Sequence, residues 1–522
     1  MKLQIGIVAE SPVWKDVLLQ EGVPFAQIDL ANDSLAGDCS MLVVNRTLSA
    51  LEREAVESYL RKGGAVLGYA QHLFQVAATN AMRERLEYIV SGSDAVFPSV
   101  HILDLGIFGA VPREANTLRT QADRFAVMAG PLGGGYAVVL PFDVESVLSD
   151  VRNASKCFYS TRDRLPAERV SLVSKGEVRQ LLHQSFEYLH HARGLPYAHL
   201  WYFPYGKRNL FAFRVDTDGA PQRDVNELYH VAHAHGISMS WFLDVKSHEP
   251  WLKHFTGMVN QEIGAHCYEH RSFPAYGDSL SDIAQAVKAI EAVGLHPRGF
   301  SAPYGTWNEE IGKAIDHAGF GYSSEFGYAY DTLPLFPHTA TTDYTTLQVP
   351  IHPICIGSMM KVGYSSAQMK EYYHRIIAEK LSRSEPLFFY HHPSHRHSDV
   401  VEFIVESVQQ QGIDNISMGE YAQWWKKRLE QKLSLTIDGD PARMGFDSAA
   451  TGNNEGSMTL RISNNRGEEA IVTLGKAVDL ETAQWKPVNP PMPAPQDIRR
   501  IREFDPRTLL SELHNKLMRS FR

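Results

Sequence analysis

The sequence predicts an α/β protein made of two successive strand–helix series. These are an N-terminal doubly wound parallel sheet and a distorted (β/α)7 barrel, followed by a small C-terminal β unit and a helical tail. Three observations carry that expectation. Short apolar runs of parallel-strand length alternate with amphipathic stretches from residue 1 to about 140. The same alternation restarts at Leu210 and gives seven further strand segments. After Lys432 the apolar residues fall at every second position, as in antiparallel strands with one wet face.

In the first series, Leu3 to Ala9, Met41 to Asn45 and Ala65 to Tyr69 read as buried strands. Between the last two, Leu51, Ala55, Val56, Tyr59 and Leu60 form a helical stripe, opened by a Ser49 cap and closed by Gly63-Gly64. The stretch Val43 to Ala70 resembles glutamine-amidotransferase-like domains. There the nucleophilic Cys sits in a sharp turn after a strand, and Cys39, Cys157, Cys267 and Cys355 are not so placed. Residues 1–144 are therefore expected to be a non-catalytic flavodoxin-like or amidotransferase-like domain. Gly133-Gly134-Gly135 precedes the strand Tyr136 to Leu140 rather than following one, which predicts a hairpin turn and not a phosphate cradle. Residues 145–208 are expected to be a mostly helical bridge, with Gly176 to Ala192 its clearest helix.

The barrel is expected over 209–430. Its strands are Leu210 to Val215, Ser238 to Leu243, Glu262 to His266, Gly299 to Ala302, Gly321 to Ser324, Leu347 to Pro350 and Leu387 to His391. Helices intervene near Arg223 to His235, Ser281 to Val293, Glu309 to His317, Ser366 to Ser382 and Asp399 to Gln411. In such barrels reactive residues gather at the C-terminal ends of strands, because that rim carries the variable loops. Residues 431–486 are the expected β unit. Residues 487–522 hold a Pro-rich linker and a tail placing Leu509, Leu510, Leu513, Leu517 and Phe521 on one helical face, which predicts packing on the protein's own domains.

Composition narrows the function. A 522-residue chain with 44% hydrophobic and 21% charged residues is ordinary for a globular protein, and its net charge of -9 argues against a nucleic-acid surface. Four scattered cysteines without Cys-x-x-Cys spacing predict free thiols. No apolar run is long enough for a membrane span, and the N-terminus reads as a first strand rather than a signal peptide. A cytoplasmic location is the expectation.

The chemistry concentrates in two places. Phe213-Arg214-Val215-Asp216-Thr217-Asp218-Gly219 ends the first barrel strand, and His266-Cys267-Tyr268-Glu269-His270 ends the third. One carboxylate and two imidazoles can hold a divalent ion with a coordination position left for water, and the second carboxylate can then take a proton from that water.

These residues resemble the polysaccharide deacetylase family, the NodB-homology domains also called carbohydrate esterase family 4, over about residues 209–427. The resemblance implies Asp216 as catalytic base, with Asp218, His266 and His270 as metal ligands. Its third motif, usually Arg-x-Pro-Tyr-Gly, appears as Ser301-Ala302-Pro303-Tyr304-Gly305, and it implies that the Tyr304 backbone N–H faces the oxyanion. Ser301 stands where the family has an Arg that holds the base; Arg214 or Arg298 could supply that cation. The family's Asp- and Trp-rich fourth motif is not clear, and Tyr322-Ser323-Ser324-Glu325 occupies its expected place. The fifth motif, Tyr390-His391-His392-Pro393, implies His392 as general acid, with His391 as the other register. His395 and His397 read as solvent-facing, and His352 as a satisfied structural histidine.

The expected activity is a metal-dependent amidohydrolase acting on an N-acetylated sugar, with zinc the ion that two imidazoles and a carboxylate suit best. An amidase for a small non-sugar amide and a non-catalytic carbohydrate-binding or scaffold protein are the competing expectations.

Overall fold

The computed structural model describes residues 1–31, 39–76, 80–91, 96–158, 165–437, 443–448, 457–474 and 477–488, with Met492, Leu510 and Leu513. Most of the expected Pro-rich linker and helical tail lies outside the described residues.

The N-terminal sheet begins as the sequence suggests. Strands β1 (Ile5–Ile7), β2 (Phe25–Gln27), β3 (Met41–Val44) and β4 (Ala65–Tyr69) pair in parallel. Helix Ala50–Arg61 covers one face through Val56, Tyr59 and Leu60, and helices Pro12–Glu21 and Lys175–Ala192 cover the other. Ser49 caps the Ala50–Arg61 helix in a complete capping box with Glu52, so two of its orphan amides are satisfied.

The expectation of a fully parallel sheet needs correction. Strands β5 (Ala81–Val90), β6 (Ile102–Pro112), β7 (Thr117–Thr120), β8 (Phe125–Leu132) and β9 (Gly135–Leu140) follow β4, and only β9 returns parallel to it. The others pair antiparallel, giving the order β2-β1-β3-β4-β9-β8-β7-β5-β6. Among the described residues no helix intervenes between these strands, and short connections permit only antiparallel neighbours. The triple glycine is the β8–β9 hairpin turn, with Gly133 and Gly134 at positive φ.

Residues 145–208 are not mostly helical. They contain an antiparallel hairpin, β10 (Asn153–Cys157) with β11 (Ala167–Ser171), the one long helix Lys175–Ala192, and strand β12 (Tyr197–Leu200). The helix belongs to the N-terminal core, where Leu181, Leu182, Phe186 and Leu189 are buried.

All seven expected barrel strands are present: β13 (Leu210–Asp216), β14 (Ser240–Asp244), β15 (Glu262–Cys267), β16 (Gly299–Phe300), β17 (Tyr322–Ser323), β18 (Leu347–Gln348) and β19 (Leu387–His391). They form a curled parallel sheet in the order β18-β17-β16-β15-β14-β13-β19, with β20 (Asp414–Asn415) also on β13. Strands β18 and β19 do not pair directly; the His352 amide just past β18 donates to Phe388 O at 2.9 Å. Phe211, Phe213 and Val215 pack outward among the helices, while Leu210 and Ala212 pack in a second cluster with Phe242 and Tyr390. This period-two alternation puts Arg214 and Asp216 on the inner face and leaves both buried.

The C-terminal strands do not stand apart. Strand β21 (Leu433–Ile437) pairs with β22 (Arg443–Ser448), and a bridge links Thr436 to Lys2. Strand β23 (Thr459–Ser463) pairs with β12 on one side and β24 (Glu468–Thr473) on the other, so this unit clasps the first domain. No disulfide joins the four cysteines, and no described helix is long and apolar enough to cross a membrane.

Candidate metal centre

Strand β13 delivers Asp216 to the inner rim, and the chain then turns through two positive-φ residues, Asp218 (φ 37°) and Gly219 (φ 66°). Asp is among the few L-residues that tolerate this region. Thr217 fixes the turn: its hydroxyl donates to Phe242 O at 3.2 Å and accepts from the Asp244 amide at 2.9 Å. His266 arrives at the end of β15, and His270 lies in the bend that follows rather than on a helix. Asp282 holds that bend by accepting from the Tyr268 and Glu269 amides at 2.9 and 2.8 Å.

These turns bring three side chains to one place. His266 Nε2 lies 3.1 Å and His270 Nε2 3.0 Å from Asp218 Oδ1. All three atoms are buried, yet none makes a hydrogen bond, the others included. Desolvated polar atoms without partners cost on the order of 1–3 kcal/mol each. Three of them converging is the arrangement expected around a cation, and one carboxylate oxygen with two imidazoles fits a divalent ion such as zinc. The far ring nitrogen of His266 donates to Ser301 O at 2.6 Å, fixing the tautomer that leaves Nε2 as a donor of electrons to an ion. Burial opposes charge on Asp218, but His392 and the two neighbouring imidazoles outweigh it and hold the carboxyl well below its usual range.

Asp216 does not join this trio. Its two oxygens accept from Arg214 Nε at 2.8 Å and Nη2 at 2.6 Å, a bidentate pair sealed beneath the rim. The guanidinium also donates to Ser324 O and Oγ and lies 5.1 Å from the Tyr390 ring centroid. Of the two arginines named from the sequence, it is Arg214 that faces the Asp216 carboxylate. The cation expected at position 301 comes instead from β13 itself, and Ser301 is fully buried.

The Pro303-Tyr304-Gly305 turn follows β16. Tyr304 sits at φ 60°, and a Cβ on Gly305 would come within 2.3 Å of the Phe326 ring. Glu325, in the stretch that stands at the fourth-motif position, anchors the approach to this turn: its carboxylate accepts from the Ala302 amide at 3.0 Å and from Gln348 at 2.7 Å. The Tyr304 ring packs edge-on at 4.9 Å from the His270 ring and is 39% exposed, marking the open side of the centre.

The two registers of the His pair separate cleanly. His392 Nε2 lies 3.3 Å from Asp218 Oδ2. Burial lowers its pKa, but the Asp218 carboxylate first and Cys355 next outweigh it and lift it to about 9. His391 faces away, with its Nε2–H donating to Arg396 O at 2.8 Å, and burial pushes it well below the usual imidazole range. The structure thus brings His392, and not His391, to the Asp218 cluster. His352 is satisfied on both nitrogens, by Asp331 at 2.9 Å and the Tyr372 hydroxyl at 2.8 Å. His395 is not solvent-facing: its Nδ1 is buried beside Cys355 and His392, neither of which the sequence linked to it.

Residues 212–323 match the polysaccharide deacetylase family model. The match spans Asp216, Asp218, His266, His270 and Tyr304 and stops short of His392. A Mycobacterium smegmatis protein provisionally described as a polysaccharide deacetylase is 18% identical, with 42% of this chain and 91% of that one covered at a TM-score of 0.38. A carbohydrate esterase family 4 pseudoenzyme from Bacillus anthracis is 14% identical, with 42% and 68% covered at 0.31. A family 4 carbohydrate esterase from Streptomyces lividans is 13% identical, with 39% and 90% covered at 0.29. Structural likenesses this weak carry no weight for the site. No curated protein matches the chain.

Proposed function

We propose that this chain is a metal-dependent hydrolase of amide bonds that removes acetyl groups from an N-acetylated sugar or glycan. The family match over 212–323 is the premise. The observation that carries the reading is the convergence of three unpartnered buried ligand atoms, from Asp218, His266 and His270, next to a carboxylate already held by an arginine. A divalent ion bound there, zinc by ligand type, would polarise the acetamide carbonyl and make its water more acidic.

The chain's own residues supply the rest. Asp216 accepts the proton from the attacking water; each of its oxygens spends one lone pair on Arg214 and keeps another. Arg214 holds that carboxylate in place through its bidentate pair. The Tyr304 backbone N–H donates to the oxyanion, its direction set by the left-handed turn. His392 Nε2, 3.3 Å from Asp218 Oδ2, carries the proton that the departing amine takes up.

Ser301 in the place of the family arginine favours one other reading, a glycan-binding protein that has lost the chemistry. Metal analysis of the purified chain, paired with acetate release from chito-oligosaccharides, separates them. Metal together with acetate is the expected result. Metal without acetate points to a different amide substrate or to a binder, and absence of both overturns the hydrolase.

A further inference from the structure

Behind His392, on the side away from Asp218, lies a second group of metal-ligating side chains that the reaction does not use. Cys355 precedes the short helix Ile356–Met360 after β18, and His395 ends the turn Pro393–His395 after β19. The Cys355 sulfur and one nitrogen each from His392 and His395 come within 4.8 Å of one another. Cys355 is 3% exposed, and its sulfur lies 3.6 Å from the Ser358 hydroxyl. The Nδ1 atoms of both His392 and His395 are buried without a hydrogen-bond partner. The two rings meet edge-on at 4.7 Å.

The approach of His395 to the Cys355 helix depends on a glycine. A Cβ at Gly357 would fall 2.2 Å from His395 Nδ1, so any larger residue would push this ring off the helix. Ser358 Oγ also donates to the Glu168 carboxylate at 3.3 Å, placing a further oxygen ligand one hydroxyl away.

We propose that Cys355, His392 and His395 form a second metal site, taking a thiophilic divalent ion such as zinc. One thiolate and two imidazoles are a ligand set such an ion favours, with a fourth position left to water or Glu168. Two buried Nδ1 atoms converge on a buried thiol, an arrangement that a shared cation would complete. His392 stands between the two centres and offers one nitrogen to each. An ion on its far side would lock the ring with Nε2 toward Asp218. The site itself does not depend on the hydrolase reading.

The test is metal stoichiometry of the full chain after reconstitution with zinc(II), and absorption after reconstitution with cobalt(II). Wild type is expected to hold two ions, and C355S, H395A and D218N one each. The cobalt protein should show thiolate-to-metal charge-transfer absorption that survives D218N and disappears in C355S. H395A guards against misfolding of the buried cysteine variant, since it must lose the same equivalent while keeping native near-ultraviolet dichroism. A thiolate band in D218N together with no ion lost by C355S is impossible under the proposal, and a wild type without the thiolate band overturns it. A single ion lost in C355S but kept in D218N would support this site while removing the Asp218 centre.

Discussion

The chain contains two buried groups with the same inventory, one carboxylate and two imidazoles, and they differ in everything that decides metal binding. At the barrel rim, Asp218 Oδ1, His266 Nε2 and His270 Nε2 face one another without hydrogen bonds. At the junction of the N-terminal domain with β12, Glu21, His183 and His199 are as close together. There the carboxylate is already saturated: it accepts from the Tyr197 hydroxyl at 2.6 Å, the Tyr202 hydroxyl at 3.0 Å and His183 Nδ1 at 2.5 Å, with Arg179 4.0 Å away. His199 keeps one empty nitrogen, but burial holds its pKa down to about 3 and the Arg428 and Arg461 charges oppose any cation. Ligand type alone does not make a metal site. What separates the two is whether the ligands have anything else to bind.

Substitutions should expose that difference, beginning with the largest effect. D218N should bring the zinc content of the rim centre to background and abolish acetate release, whereas E21Q should leave the metal content of the protein unchanged. D216N should keep the rim ion and lose roughly 10²–10⁴-fold in kcat/KM, the range of a missing general base. R214A should leave Asp216 buried without its partner and cost about 3–5 kcal/mol in denaturant unfolding. Moving the cation back, as R214A/S301R, should recover part of the activity that R214A loses. E21Q should cost only about 1–3 kcal/mol, the worth of charge-assisted hydrogen bonds lost from a satisfied network.

The smallest effect is a pH dependence read through the second group. Burial resists ionisation of Glu21, but His183 and Arg179 outweigh it, so its folded pKa lies below the unfolded 4.5. A depressed carboxyl contributes its full stability above the unfolded pKa and loses it as pH falls. Unfolding free energy should therefore decline below about pH 4.5, with a shallower decline in E21Q. An unchanged slope in E21Q would show that Glu21 is not tied into this network.

Much of the barrel was legible because its strands are buried on both faces and read as continuous apolar runs, from Leu210 to Leu387. The ligand trio was legible because it is local: Asp218 follows a strand, and His266 and His270 share one loop. Other features were not. Strand β10, Asn153-Ala154-Ser155-Lys156-Cys157, and strand β5, with Arg83, Glu84, Arg85 and Glu87, are too polar for an apolar pattern to reveal. Asp282 and Glu325 act through backbone amides far away in sequence, and Cys355 meets His395 only across two strand ends. The Pro-Tyr-Gly turn carries its own lesson. Pro204-Tyr205-Gly206 adopts the same backbone, with Tyr205 at φ 56°, outside the candidate site, so the tripeptide encodes a turn and only its position can make it part of a site.

Anomalous diffraction from crystals of the zinc-loaded protein tests the central claim most directly. A peak is expected at about 2.0–2.2 Å from Asp218 Oδ1, His266 Nε2 and His270 Nε2, and none within bonding distance of Glu21. Zinc found at Glu21, or a rim where these three atoms stay empty at saturating metal, would contradict the account.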